Sequence, residues 1–290
     1  MLIRVGCRLE ILTAQPTPLI AMLNVHHSRY GGLVVADDLV ASPAVEMTGY
    51  RDGFGNWCTR MVAPAGSFAL STDGVFRDDG MADPVAPTAR QMDVSDLPPD
   101  TLVYLLGSRY CDTDVLSETA WRLFGAGPAD WSRVQDICDY VWRSLSFGYD
   151  QASSTRSASQ ALVDGKGVCR DFAHLAIAFC RCMNIPARYC TGYLSDIGEA
   201  EPYPPGDFAA WMEVYLESRW WVFDPRNNAP RKGRVLVARG RDATDVPLTQ
   251  TFGAHLLTGF EVWTHEVPEE DVSMWQGRER AGATLPFERS

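Results

Sequence analysis

The chain opens on an alternating run, with Ile3, Val5, Cys7 and Leu9 separated by Arg4, Gly6 and Arg8. A period of two belongs to a strand with one buried face, so a strand is expected here. A second strand-like run, LIAMLNVH, follows the QPTP turn. Gly31-Gly32, Asp52-Gly53 and Gly55-Asn56 then punctuate further short runs, including YRDGFGNWCTRMVAP. Short strands broken by glycine turns predict an antiparallel β-sandwich over residues 1–100. Its last part, from Asp83 to Asp100, is rich in Pro and Asp and reads as a connector.

The period changes after the connector. DTDVLSETAWRLFG offers an Asp cap, an apolar face of Val115, Ala120, Leu123 and Phe124, and a glycine stop at Gly125. In DWSRVQDICDYVWRSL, Trp131, Val134, Cys138 and Val141 recur at helical spacing. A short helix is expected over ASQALVDG. A longer one follows in GKGVCRDFAHLAIAFCRCMNI, with Phe172, Leu175, Ala176 and Phe179 on its buried face and Pro186 closing it. Strands resume at ARYCTGYL, AWMEVYLES and RWWVFDP, the last two joined by a tight turn near Glu217-Ser218 and so predicted to form a hairpin. VLVA and LLTGFEVWTHEV are two more strand candidates. The whole is an α+β chain. Residues 1–100 form the sandwich, 101–245 the core, and 246–290 a C-terminal strand and tail packed on either of them.

Composition narrows the function. The chain has 290 residues, 46% of them hydrophobic, enough for a sizeable core. Its net charge of −11 comes with no run of Lys or Arg, which argues against a nucleic-acid partner. MLIRVGCRLE carries charge too early for a signal peptide, and the apolar stretch LAIAF is too short to span a bilayer, so no membrane association is expected. Several of the eight cysteines sit in apolar helical or strand patterns, where free thiols act as small hydrophobes. A reduced, cytoplasmic protein is the expectation. No CxxC knuckle and no glycine-rich phosphate loop occur, so neither metal nor cofactor is called for.

Cys169 is the first chemical candidate. Glycines flank Lys166, and Val168 leads into a helix starting at or beside the cysteine. A thiol there faces unpaired backbone N–H groups and the positive helix end, which favour its thiolate. The same N–H groups can stabilise an oxyanion, although a buried packing thiol is the plainer reading of one cysteine after a glycine. Asp224 closes the strand RWWVFD, where a carboxylate can orient an imidazole on the neighbouring strand near Ala209.

The string GVCRDFAHLAIAFCRCMNIPARYCTGYL resembles the core of the bacterial transglutaminase-like superfamily, and DFAAWMEVYLESRWWVFDPRNN resembles that family's histidine and aspartate segments. PTPLIAMLNVH and YRDGFGNWCTR resemble the β domain that precedes this core in bacterial members. The resemblance implies a papain/transglutaminase-like core and a cysteine peptidase, amidase or acyltransferase that works through a thioester on a peptide or small-molecule amide. It implies Cys169 as nucleophile and Asp224 as the orienting acid. The histidine of the family pattern falls at Ala209, inside an otherwise matching Asp207-Phe208-Ala209-Ala210-Trp211. Methyl accepts no proton, so the triad is read as inactivated by replacement at 209, and a natural pseudoenzyme that binds without turnover is the alternative.

Other residues are weaker candidates. Tyr149 and Gln151 are candidates for a second oxyanion donor. Arg170 either binds a substrate carboxylate or pairs with a local acid, and Asp171 either favours the helix start or shapes the substrate entrance. Trp211 is read as core or cleft wall. His174 is about 140° around the helix from Cys169, which points to packing.

Overall fold

The computed structural model describes residues 1–199 and 206–272. Seven strands precede residue 80: β1 (Leu2–Thr13), β2 (Thr17–Ala21), β3 (Leu33–Val35), β4 (Val40–Ser42), β5 (Thr48–Arg51), β6 (Trp57–Ala63) and β7 (Gly66–Arg77). Then come α1 (Thr113–Phe124), α2 (Trp131–Ser144), β8 (Ser146–Phe147), α3 (Ala158–Asp164), β9 (Lys166–Gly167) and α4 (Cys169–Cys182). Six strands follow: β10 (Ala187–Leu194), β11 (Ala209–Leu216), β12 (Arg219–Phe223), β13 (Arg234–Gly240), β14 (Thr249–Thr251) and β15 (His255–Val267).

The alternation of β1 becomes a buried row. Ile3, Val5, Cys7, Leu9 and Ile11 share one core with Leu19, Ala21, Met61 and Ala63. One sheet runs β15-β1-β7-β3, with β4 also on β7, and the other runs β14-β2-β6-β5. Two antiparallel sheets closing on alternate inward residues form a sandwich. β15 pairs with β1 from Leu2↔Val267 to Thr13↔His255, so the chain returns to the first sheet after building the core. The part of the C-terminal tail beyond residue 272 lies outside the described residues.

The core sheet runs β12-β11-β10-β13, all antiparallel. β11 and β12 form the expected hairpin. Leu216 pairs with Arg219, and the two turn residues Glu217 and Ser218 both take positive φ, 47° and 64°. Two consecutive left-handed residues give the turn whose twist matches its strands. α4 lies between this sheet and the other helices and is buried from Asp171 to Cys182 on all sides. It is therefore not the one-faced helix of the sequence reading, because α1, α2 and α3 all pack on it.

Three expectations shift. On α1 the buried stripe is Leu116, Ala120 and Phe124, whereas Val115 and Leu123 face solvent. The i, i+4, i+8 spacing of the observed stripe suits a single contact line to α4 better than the mixed set chosen from sequence. The run LIAMLNVH is a strand only to Ala21. Beyond it the backbone bonds other elements, Met22 N–H to the Leu248 carbonyl and His26 N–H to that of Leu236. The connector holds short 3₁₀ turns at Val94–Asp96 and Pro99–Leu105.

Candidate active site

The loop before α4 is fixed by one carboxylate. Asp171, 1% exposed, accepts the Val168 N–H at 2.9 Å and pairs with Arg156 at 3.3 Å and Arg170 at 3.6 Å. It secures the helix start and does not line the thiol's cavity. Gly167 is needed for this approach, since a Cβ there would lie 2.6 Å from the Asp171 Cβ and Oδ2. Gly167→Ala is expected to cost about 1–3 kcal/mol of stability, read by thermal or denaturant unfolding. A wild-type midpoint would show that the loop moves aside freely.

Cys169 is half-buried at the start of α4. The backbone amides of Ala210 and Arg170 face its sulfur and favour the thiolate. The net effect nevertheless runs against the sequence expectation. Burial first, then the charges of Asp207 and Asp224, push the thiol up to about 11. Helix-end amides lower a thiol's pKa, but desolvation together with two nearby carboxylates raises it more.

Asp224 directly follows β12, and its carboxylate is held from four directions. It accepts N–H groups of Arg226 at 3.2 Å and Asn227 at 3.0 Å, the Asn227 side chain at 2.7 Å, and the Arg234 guanidinium at 3.0 Å. The first two make the Asx turn that an Asp-Pro sequence favours. Arg234 also reaches Asp83 at 3.1 Å and lies over the Trp211 ring, 4.6 Å from its centroid. Trp211 is 1% exposed and belongs to the core beneath this arginine, not to the cavity.

Ala209 is the first residue of β11 and packs with Trp211 and Val222 around Cys190 and Leu236. Side chains alternate along strands, so 209 and 211 share a face, as do 222 and 224. Phe223 pairs with Met212, so Asp224 falls opposite Trp211, diagonal to position 209. Diagonal neighbours are about 7–8 Å apart, within reach of a ring side chain. An imidazole at 209 would thus have the carboxylate on its own face.

Cys169, Ala209, Asp207, Thr191, Tyr189 and Arg170 line one cavity of about 380 Å³. Its far wall comes from the sandwich: Leu9 and Ile11 of β1, and His255, Leu257 and Phe260 of β15. Nothing local in the sequence marks this wall. β1 and β15 lie about 160 and 90 residues from Cys169 in the chain, and alternation marks a buried face without saying what covers it. Asp207 was seen there only as part of a pattern. It is partly buried, with burial raising its pKa, and accepts its own Phe208 N–H at 2.7 Å.

The remaining candidates separate. Tyr149 is exposed, and its hydroxyl pKa is raised by burial and by the Asp207 and Cys169 charges, which places it on the thiol side. Gln151 turns its amide to Asp150. Arg170 donates to the Ser153 carbonyl, pairs with Asp171 and lies 5.3 Å from the Tyr110 ring centroid. His174 is fully buried, pushed down to about 3 by desolvation, accepts the Ala243 N–H at 3.1 Å and stacks on Tyr110. His26 is likewise buried and pushed down to about 3. Of the five histidines, His255 alone lines the thiol's cavity, on the wall opposite the core sheet.

The site therefore sets a thiol at a helix start against an antiparallel sheet whose strand ends supply the remaining polar groups. Residues 118–225 match the model of the transglutaminase-like superfamily, a segment that includes Cys169, Ala209 and Asp224. Residues 118–225 thus carry a transglutaminase-like domain. A crystal structure of a candidate cysteine protease from Cytophaga hutchinsonii is similar over 100% of this chain and 94% of its own, with 26% identity and a TM-score of 0.79. An uncharacterized protein of Mycobacterium leprae is 36% identical over 110 residues, 37% of this chain. One from Mycobacterium tuberculosis is 29% identical over 127 residues, 39% of this chain. Each match spans 39% of the relative's length.

Proposed function

We propose that the site is that of a cysteine amide hydrolase or acyltransferase that lacks its proton-transfer residue. The observation that carries this is the cavity shared by Cys169 and Ala209, with Asp224 held on the face of residue 209. With histidine at 209, the imidazole takes the Cys169 proton and sulfur attacks the amide carbonyl. The C–S bond forms, the oxyanion rests on backbone N–H groups, and the C–N bond breaks as the imidazolium protonates the leaving amine. Water or a second amine then cleaves the thioester. With alanine at 209 the first proton transfer has no acceptor, and binding is retained. A thiol pushed up to about 11 favours a second reading, a noncatalytic module that keeps the cleft for binding.

The test is acyl transfer from p-nitrophenyl acetate. Ala209→His is expected to release p-nitrophenol in a burst and to carry one acetyl group on the Cys169 peptide. Cys169→Ala in the same background should do neither. Acetyl groups found elsewhere, or no burst, would move the binding-module reading ahead.

A further inference from the structure

The cavity wall holds one carboxylate, Asp207, with no ion-pair partner among the described residues. Among the described residues no Arg, Lys or His pairs with Asp207, whose one hydrogen bond is from the Phe208 amide. Arg170, which lines the same cavity, is engaged by Asp171, the Ser153 carbonyl and the Tyr110 ring. Phe208 lies beside Asp207, and the sandwich wall of the same cavity adds the apolar side chains Leu9, Ile11, Leu257 and Phe260, with His255 at its edge. Leu257 and Phe260 are 51% and 39% exposed, so this wall is open to a ligand.

A half-buried carboxylate in an apolar cavity is costly unless a cation joins it. From this we infer that the cavity binds a primary ammonium carried on a short apolar body, with the ammonium on Asp207 and the body against Phe260, Leu257 and Leu9. The inference rests on the proposed thiol site and names what that site would take: an amide whose free amino group, charged and not itself reacting, lies close to the scissile bond. At about 380 Å³ the cavity is at the small end for ligand sites, which suits one apolar side chain and not a long segment. The ammonium would also offset the Asp207 charge, which adds to burial in raising the thiol's pKa.

The experiment uses the full chain with Cys169→Ala, which removes thiol chemistry, so the result does not depend on whether the thiol is catalytic. Phenethylamine and its neutral isostere 2-phenylethanol are titrated calorimetrically. The amine should bind at least about tenfold more tightly than the alcohol, as a charge-assisted hydrogen bond requires. Adding Asp207→Asn should erase that preference, with folding checked by circular dichroism. Adding Phe260→Ala should weaken the amine several-fold and leave the preference over the alcohol intact. Equal binding of amine and alcohol, a preference that survives Asp207→Asn, or no binding of the amine each overturns the inference. The amine–alcohol comparison stands without the Asp207 variant.

Discussion

Replacing Ala209 by histidine is expected to speed alkylation of Cys169 by iodoacetamide about 10³-fold at pH 5, and only about tenfold at pH 7. The asymmetry follows from two opposing effects. In the present chain the thiol is pushed up to about 11, so at pH 5 roughly one sulfur in 10⁶ is thiolate, and its reactivity should climb about tenfold per pH unit until pH approaches 11. Paired with an imidazolium, a cysteine falls to about 3–4 and is thiolate across the whole neutral range. That raises the reactive fraction by about 10⁶ at pH 5 and 10⁴ at pH 7. The low-pKa thiolate is intrinsically weaker, by roughly 10³ for a drop of about seven units. The profile of the variant should therefore be flat from about pH 5 to 8, and that of the present chain steep. Two steep, superimposable profiles would mean that an imidazole at 209 does not reach the sulfur, and the thiol site would lose its mechanistic reading.

What the sequence disclosed of this site divides along physical lines. Strand alternation, the hairpin at Glu217-Ser218 and the helical periods are local, so they could be read from neighbours in the chain. The positions of Cys169, Ala209 and Asp224 were legible for the same reason: the first two open an element and the third directly follows one, and each element's type is set locally. The electrostatics of Cys169 were not. The helix-start amides are visible from sequence and point toward thiolate, but the desolvation and the Asp207 charge that outweigh them depend on tertiary packing. Nor could the cavity's far wall be read, because β1 and β15 reach it through the first sheet. The four-sided cage around Asp224 was half legible. The Asp-Pro turn that supplies two amides is written in residues 224–227, whereas Arg234 and its bridge to Asp83 depend on where β13 lies.

Arg234 carries the second large effect. Its guanidinium is 6% exposed and lies between two carboxylates that are 2% and 13% exposed, Asp224 and Asp83. The attraction of both acids raises the Arg234 pKa despite burial, so it is charged at any working pH. Arg234→Met keeps most of the apolar contact with Trp211 and removes the charge, leaving two buried carboxylates to face each other. Breaking a buried pair by removing one partner costs about 3–5 kcal/mol, and the melting temperature should fall by roughly 10 °C. Lysine should recover less than half of the loss. A point charge cannot reach Asp83 and Asp224 together while lying flat on an indole, as the planar guanidinium does. Adding Asp224→Asn to Arg234→Met should cost less than Asp224→Asn alone, because the acid's principal partner is already gone. A loss under about 2 °C in Arg234→Met would show that the pair is energetically silent. The orientation of Asp224 would then rest on the Asx turn and Asn227, and an imidazole at 209 would depend on those three hydrogen bonds for its alignment.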